Sequence, residues 1–259
     1  MSVEKIHSTA IVEEGAELGE GVKLGAYSVI GPDVKIGAGT ELMAHAVVDG
    51  NTTIGSDCVI HPFARIGGAT QDLKFKGGAP GVIVGDKTVL RECVTINSGT
   101  HDGEMTEVGS DCLLMAYSHV AHACKIGNGV IIANGTQLAG DVIIEDFAIL
   151  EGLCGAVQFR RIGKMAFMGA YTKASKDVPP FMIADGLNIQ IRGINKVGME
   201  RRGVSEESRA AIKEAYRILY RQKLPLAEAM EKMEKELPST PEVEYLLNFI
   251  RTSKVGIVR

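Results

Sequence analysis

Two histidines, His119 and His122, lie three residues apart in the segment Ser118-His119-Val120-Ala121-His122, and imidazole is the side chain suited to acid–base work near neutral pH. Gly140 follows His122 by eighteen residues, and Gln158 follows Gly140 by the same interval. An imidazole that removes a proton, set beside a bare peptide N–H that meets a developing oxyanion, is reasonable equipment for acyl transfer. Glycine there also leaves room for a substrate to approach the backbone. On spacing alone two other readings stay open: surface histidines without a role, and zinc held by His119 and His122. Zinc needs three protein ligands and an open position, and His101 is the remaining candidate for the third.

An interval of eighteen matters only if the fold turns it into proximity. An apolar column spaced by six runs Val12, Leu18, Leu24, Ile30, Ile36, Leu42, Val48, Ile54, Ile60 and Ile66, resumes at Val84, Leu90 and Ile96, and continues from Val108 to Ala174. Two residues before each member stands a small residue, such as Ala16, Ser28, Thr40, Thr52, Cys58 or Ala64. Six is not a helical period, but it is a multiple of the strand period, so both positions face one interior. Such repeats must stack, which predicts a parallel β-helix with three flat sides and eighteen residues per coil. Coils about 4.8 Å apart would put His122, Gly140 and Gln158 in one vertical column, with His119 on an outward strand site and His122 at the next corner. Sequence does not fix the hand of the coil, although the crossover rule favours the right.

The column breaks at 67–81 (GGATQDLKFKGGAPG) and at 100–107 (THDGEMTE). Interrupting a ladder adds no stability to a repeat fold, so both stretches are expected to be extruded, functional loops; tolerated insertions are the alternative. The pattern ends at Val178-Pro179-Pro180, which divides a β-helix of residues 1–180 from an α-helical domain of residues 181–259. Three helices are expected there: one capped by Ser205, one from near Pro225, and one opened by Thr240-Pro241.

The 31 glycines suit repeated corners, and 5% aromatics with no tryptophan suit a narrow interior. A net charge of −4 argues against a nucleic-acid partner. The N-terminal MSVEKIHSTA has no apolar core and no stretch approaches a membrane span, so neither secretion nor membrane insertion is expected. Cys58, Cys112, Cys124 and Cys154 occupy the small inward site and read as buried hydrophobes in a reducing cytoplasm. Residues just before the column point outward, and on one side these are Leu113, Ile131, Ile149 and Phe167. An apolar row of that size predicts a subunit interface, and a triangular prism suits a trimer; the alternative is that the helical domain folds over the row.

The hexads, together with Gln71-Asp72-Leu73-Lys74, His119-Val120-Ala121-His122, Leu138-Ala139-Gly140, Gln158-Phe159, Asp177-Val178-Pro179-Pro180 and Arg201-Arg202-Gly203, resemble the UDP-N-acetylglucosamine O-acyltransferases that begin lipid A synthesis. The likeness runs end to end. It implies a left-handed β-helix, a homotrimer, and transfer of an (R)-3-hydroxyacyl chain from acyl carrier protein to the 3-position of the UDP-sugar. It further implies His122 as general base and Gly140 N–H as oxyanion donor, with no metal or cofactor because a thioester is already activated. Asp72 and Lys74, with Gln71 and Leu73, would sit on a loop that in the family reaches a neighbouring subunit's cleft and holds the sugar and phosphate. Gln158, His119, Asp141, Asn195, Arg201 and Arg202 would contact the sugar nucleotide or pantetheine, and Ala170 would limit acyl length. Arg160, Arg161, Lys164, Lys173 and Lys176 offer acidic acyl carrier protein a docking patch, or are ordinary solvated cations.

The chain departs from the family pattern near the sugar. Ala123 stands where an aspartate usually follows the histidine, Asp141 where a histidine usually follows the glycine, and Val157, Asn97 and Val197 replace polar family residues. These changes leave open a UDP 3-amino sugar as acceptor and a non-catalytic β-helix binding protein; a sugar-nucleotide acetyltransferase using acetyl-CoA is a further alternative, against which the Gln71–Lys74 loop and the helical tail argue.

Overall fold

A computed structural model describes residues 6–259; residues 1–5 of the expected first domain lie outside the described residues. Most hexads fold as a two-residue strand and a four-residue corner. Among the described residues these strands assemble into three sheets, almost wholly parallel, which are the faces of a prism. The first face runs from Ile11–Val12 to Lys173–Ala174, the second from Glu17–Leu18 to Arg161–Ile162, and the third starts at Lys23–Leu24. Within a face, uninterrupted coils pair at intervals of eighteen, as in Leu113↔Ile131↔Ile149↔Phe167. The architecture is a left-handed parallel β-helix followed by a small helical unit.

The column residues fill the interior, and Ile30, Val48, Ile66, Ile96 and Val120 are completely buried. The small inward site has a second job. Its hydroxyl or thiol donates to a corner carbonyl of the next coil, as in Thr40 to Gly55 O (2.8 Å), Thr136 to Glu151 O (2.9 Å) and Cys124 to Ala139 O (3.1 Å). The same hydroxyls accept from a backbone N–H one coil on, Cys58 N to Thr40 Oγ1 at 3.0 Å and Cys154 N to Thr136 Oγ1 at 3.1 Å. Burial pushes the Cys124 thiol up to about 12, so it stays neutral.

Glycine takes the left-handed corner in some coils, as expected, with φ of 76° at Gly21, 72° at Gly39 and 69° at Gly135, and it has a second use. The left-handed corner residue is often not glycine: Tyr27 has φ 58°, Phe63 has 63° and Asp141 has 58°. Glycine is needed just after the column residue, where coils nearly touch. A Cβ on Gly25 would lie 2.6 Å from Ala44 N, and one on Gly37 would lie 2.6 Å from Gly55 C.

The strands reach further into both interruptions than the hexad count suggests. Arg65–Gly68 and Gly81–Val84 bound a loop of residues 69–80, and Thr95–Asn97 and Met105–Val108 bound one of residues 98–104. Met105, Thr106 and Glu107 pair with Gly81, Val82 and Ile83, which keeps them in the ladder. Both loops leave from the edge between the first and second faces.

Beyond the last coil, antiparallel strands Met182–Asp185 and Gln190–Ile194 extend the third face, an addition invisible to the hexad count. Four helices follow: α1 Lys196–Arg201, α2 Glu206–Tyr220, α3 Leu226–Glu236 and α4 Pro241–Thr252. The last three match the expected set, with Ser205 accepting from Ser208 N and Thr240 from Val243 N as caps. Burial of Ile212, Leu219, Met233, Leu246 and Ile250 packs them together. The Arg161 guanidinium, 4.1 Å from the Phe249 ring centre and 2.9 Å from Glu145, fastens α4 to the second face. Among the described residues no helix is long and apolar enough to cross a membrane.

Thr136→Val keeps the shape of the inward site but strips the Glu151 carbonyl and the Cys154 N–H of their partner. The expected cost is about 1–3 kcal/mol, read as a lower urea midpoint; an unchanged midpoint would refute the linking role.

Candidate active site

The ladder that pairs His119 with Gln137, Gln137 with Gly155 and Gly155 with Lys173 fixes the corner beside them. His122, Gly140 and Gln158 therefore stack on the edge between the first and second faces, as the eighteen-residue spacing predicts. The imidazole lies directly against Gly140, and any Cβ there would collide with the ring. Gly140 N–H has no acceptor among the described residues.

Two carboxylates flank His122, whose side chain is 13% exposed. Asp72 Oδ2 lies 3.7 Å from Nε2, and Asp141 Oδ2 lies 3.9 Å from Nδ1. Gln158 Nε2 donates to Asp141 Oδ2 at 3.0 Å. Lys74 N–H donates to Asp72 Oδ1 at 3.0 Å, and that bond holds the Asp72 carboxyl below the usual range. His119 Nδ1 is 2.7 Å from Thr95 Oγ1, and burial lowers its pKa.

The first loop closes over this edge because the second loop carries it. Ala79 N donates to Asp102 Oδ1 at 2.8 Å, Thr70 and Thr100 hydroxyls meet at 3.1 Å, and Asn97 Nδ2 donates to Ala69 O at 2.6 Å. The result is a cavity of about 920 Å³ lined by Gln71, Asp72, Leu73 and Lys74, by His119 and Gln137, and by Lys173. The loop thus lies over the His122 of its own chain.

Other expected site residues sit elsewhere on the prism. Asn195 caps α1, its Oδ1 accepting from Gly198 N at 2.9 Å while Nδ2 donates to Met165 O at 2.9 Å. Arg202 stacks 4.2 Å from the Phe147 ring centre, and Arg201 is exposed at the end of the same helix. That helix lies on the edge between the second and third faces. Ala170 is exposed at the edge between the third and first faces. In the basic cluster, Arg161 and Lys164 engage Phe249 and Tyr245 of α4, and Lys173 lines the cavity.

Gln137 and Thr95 escaped the sequence reading. Gln137 follows His119 by one coil and was findable; Thr95 was masked because the second loop stretches that interval to twenty-four. Among the described residues no three His, Cys, Asp or Glu side chains form a metal-binding cluster, so zinc on His119 and His122 lacks a third ligand here.

Burial that lowers the His119 pKa below the ordinary 6.5 makes the unfolded chain bind the proton more tightly. Its contribution is complete above that value and shrinks as pH falls toward the depressed folded value. His119→Gln is expected to flatten the loss of melting temperature on acidification below about pH 6.5; an identical slope would show that His119 is not responsible.

Two families match the chain. One, described as bacterial transferase hexapeptide, matches residues 33–68 and 105–140, and the second domain of UDP-N-acetylglucosamine O-acyltransferase matches residues 177–258. The acyl-[acyl-carrier-protein]–UDP-N-acetylglucosamine O-acyltransferase of Herminiimonas arsenicoxydans is 50% identical, and that of Thermodesulfovibrio yellowstonii 46%. Each match covers 98% of this chain and 99% of the relative. The UDP-N-acetylglucosamine acyltransferase structure from Bacteroides fragilis superposes with a TM-score of 0.95 at 41% identity, over 98% of this chain and 99% of that one.

Proposed function

The chain belongs to the UDP-N-acetylglucosamine O-acyltransferase family, and from that premise we propose how it moves an acyl group from acyl carrier protein to UDP-N-acetylglucosamine, the first step of lipid A biosynthesis. His122 takes the proton of the sugar 3-hydroxyl as that oxygen attacks the thioester carbonyl. The tetrahedral oxyanion is met by Gly140 N–H. Collapse expels the pantetheine thiolate, which recovers a proton from the imidazolium, and the acyl chain leaves as a 3-O-ester. The observation carrying this reading is the imidazole packed on Gly140, whose N–H is unspent, inside a cavity roofed by Asp72 and Lys74. Asp72 beside Nε2 marks the sugar side of the ring, and Lys74 offers the diphosphate a cation. Buried, neutral thiols leave Cys58, Cys112, Cys124 and Cys154 no part in the chemistry.

The same site gains from a homotrimer. Outward-facing Val59, Val89, Leu113, Ile131, Ile149 and Phe167 form one apolar row on the third face. The helices gather around Gln190–Ile194 and Arg161, away from this row. The edge between the third and first faces carries exposed Tyr27, Phe63, Tyr117, Leu153 and Tyr171, with His45 stacked between Tyr27 and Phe63. Three copies joined along that edge set the third face of one against the first face of the next. The cavity on the first face would then be closed by a neighbour's edge bearing Asn195, Arg201 and Arg202, which one chain alone leaves remote. Ala170 on the axial edge would sit where an acyl chain ends. Arg160, Lys173 and Lys176 remain to meet acyl carrier protein. A reducing cytoplasm suits a chain whose five cysteines are all free.

With acyl carrier protein thioester and UDP-N-acetylglucosamine, His122→Ala is expected to lower kcat by about 10²–10⁴ with the fold intact; undiminished turnover would remove His122 from the mechanism. Ile131→Asp with Ile149→Asp changes only the outward row, and is expected to give a folded, inactive species that sediments as a monomer. A wild-type protein that sediments at 27.6 kDa and is fully active would rule out the shared site.

A further inference from the structure

We infer that Asp141 is the positioning residue for His122, orienting the ring from the next coil in place of a carboxylate at position 123. The inference rests on the acyl-transfer reading above. A histidine that accepts a proton at one ring nitrogen must carry its other proton opposite, and a carboxylate there fixes both tautomer and orientation. Ala123, the next residue in the chain, offers only a methyl.

Geometry supplies the missing group. Positions 123 and 141 are one coil apart and share the left-handed corner conformation, with φ of 56° and 58°. Position 141 holds a carboxylate and position 123 only a methyl, so in this chain the acid facing Nδ1 comes from the neighbouring coil. Asp141 Oδ2 lies 3.9 Å from Nδ1, while Asp72 Oδ2 lies 3.7 Å from Nε2, so the two acids face opposite ring nitrogens. Asp72 belongs to the loop that roofs the cavity, which leaves Nδ1 as the rear of the ring. Asp141 is held from two directions: Gln158 Nε2 donates to its Oδ2 at 3.0 Å, and its own N–H donates to His122 O at 2.9 Å. The first bond gives Gln158 work beyond touching a sugar. A gap of 3.9 Å is long for a hydrogen bond, but such contacts commonly shorten once substrate is bound. The other ionisable groups around the ring are Asp72 and Lys74 on the first loop, His101 and Glu104 on the second, and His119 and Lys173 on the first face.

Asp141→Asn separates charge from shape, because the amide oxygen still accepts from Gln158. With both substrates, kcat is expected to fall about 10–100-fold, with KM for the sugar nucleotide nearly unchanged. Adding Ala123→Asp to Asp141→Asn should recover part of the rate. A loss carried wholly in KM, or a folded double variant no faster than the single one, would overturn the assignment. Ring ¹⁵N NMR of His122 without substrates gives a readout free of turnover: one Nδ1–H tautomer in the wild type and a mixture in Asp141→Asn support it, and identical spectra refute it. Inactive wild-type protein would end the acyl-transfer reading, while the NMR would still decide Asp141.

Discussion

Everything in this molecule depends on coil-to-coil register. Backbone bonds between strands set it, and the buried hydroxyls and thiols that reach from one coil's interior to the next coil's corner lock it. A slip of one residue would expose the column and strand these polar groups in the core. Register is also what makes a catalytic group from a glycine. Gly140 matters because it arrives one coil from His122, with nothing between the ring and the peptide plane.

The site is built on one edge, and both ladder breaks serve it. The two loops leave from the same edge as His122, in the two coils that precede it, and brace each other through Asp102, Thr70 and Thr100. A rigid prism thus supplies position, and the loops supply enclosure and charge. The division makes physical sense: a corner fixed by the flanking strands holds the imidazole in place, while loops place Asp72 and Lys74 where a large polar substrate must enter.

Asymmetry among the faces shows how the chain distributes its roles. The second face is spent on anchoring the helical unit, where half-buried Arg161 lies between Glu145 and Phe249. The first face carries the cavity, and the third presents aliphatic side chains outward. Exposed rings on the edge shared by the first and third faces belong with the apolar row: both are surfaces that water solvates poorly.

Sequence alone determined the solenoid, the stack of His122, Gly140 and Gln158, and the three longer helices, because periodicity and caps are local signals that survive without coordinates. It did not reveal the strands at 182–194 or α1, whose short segments carry no repeat. It placed glycines at corners but missed those needed for close approach between coils, which leaves no mark in composition. Loop bounds were overrun because flanking strands kept pairing past the last hexad residue. Only tertiary structure decided that Asp72 folds over its own His122, that Thr95 meets His119 across an interrupted coil, and that Asp141 stands behind the imidazole. Each of these contacts joins residues whose separation in the chain is broken by a loop or turned by a corner, and direction at a corner is a property of three-dimensional packing rather than of spacing.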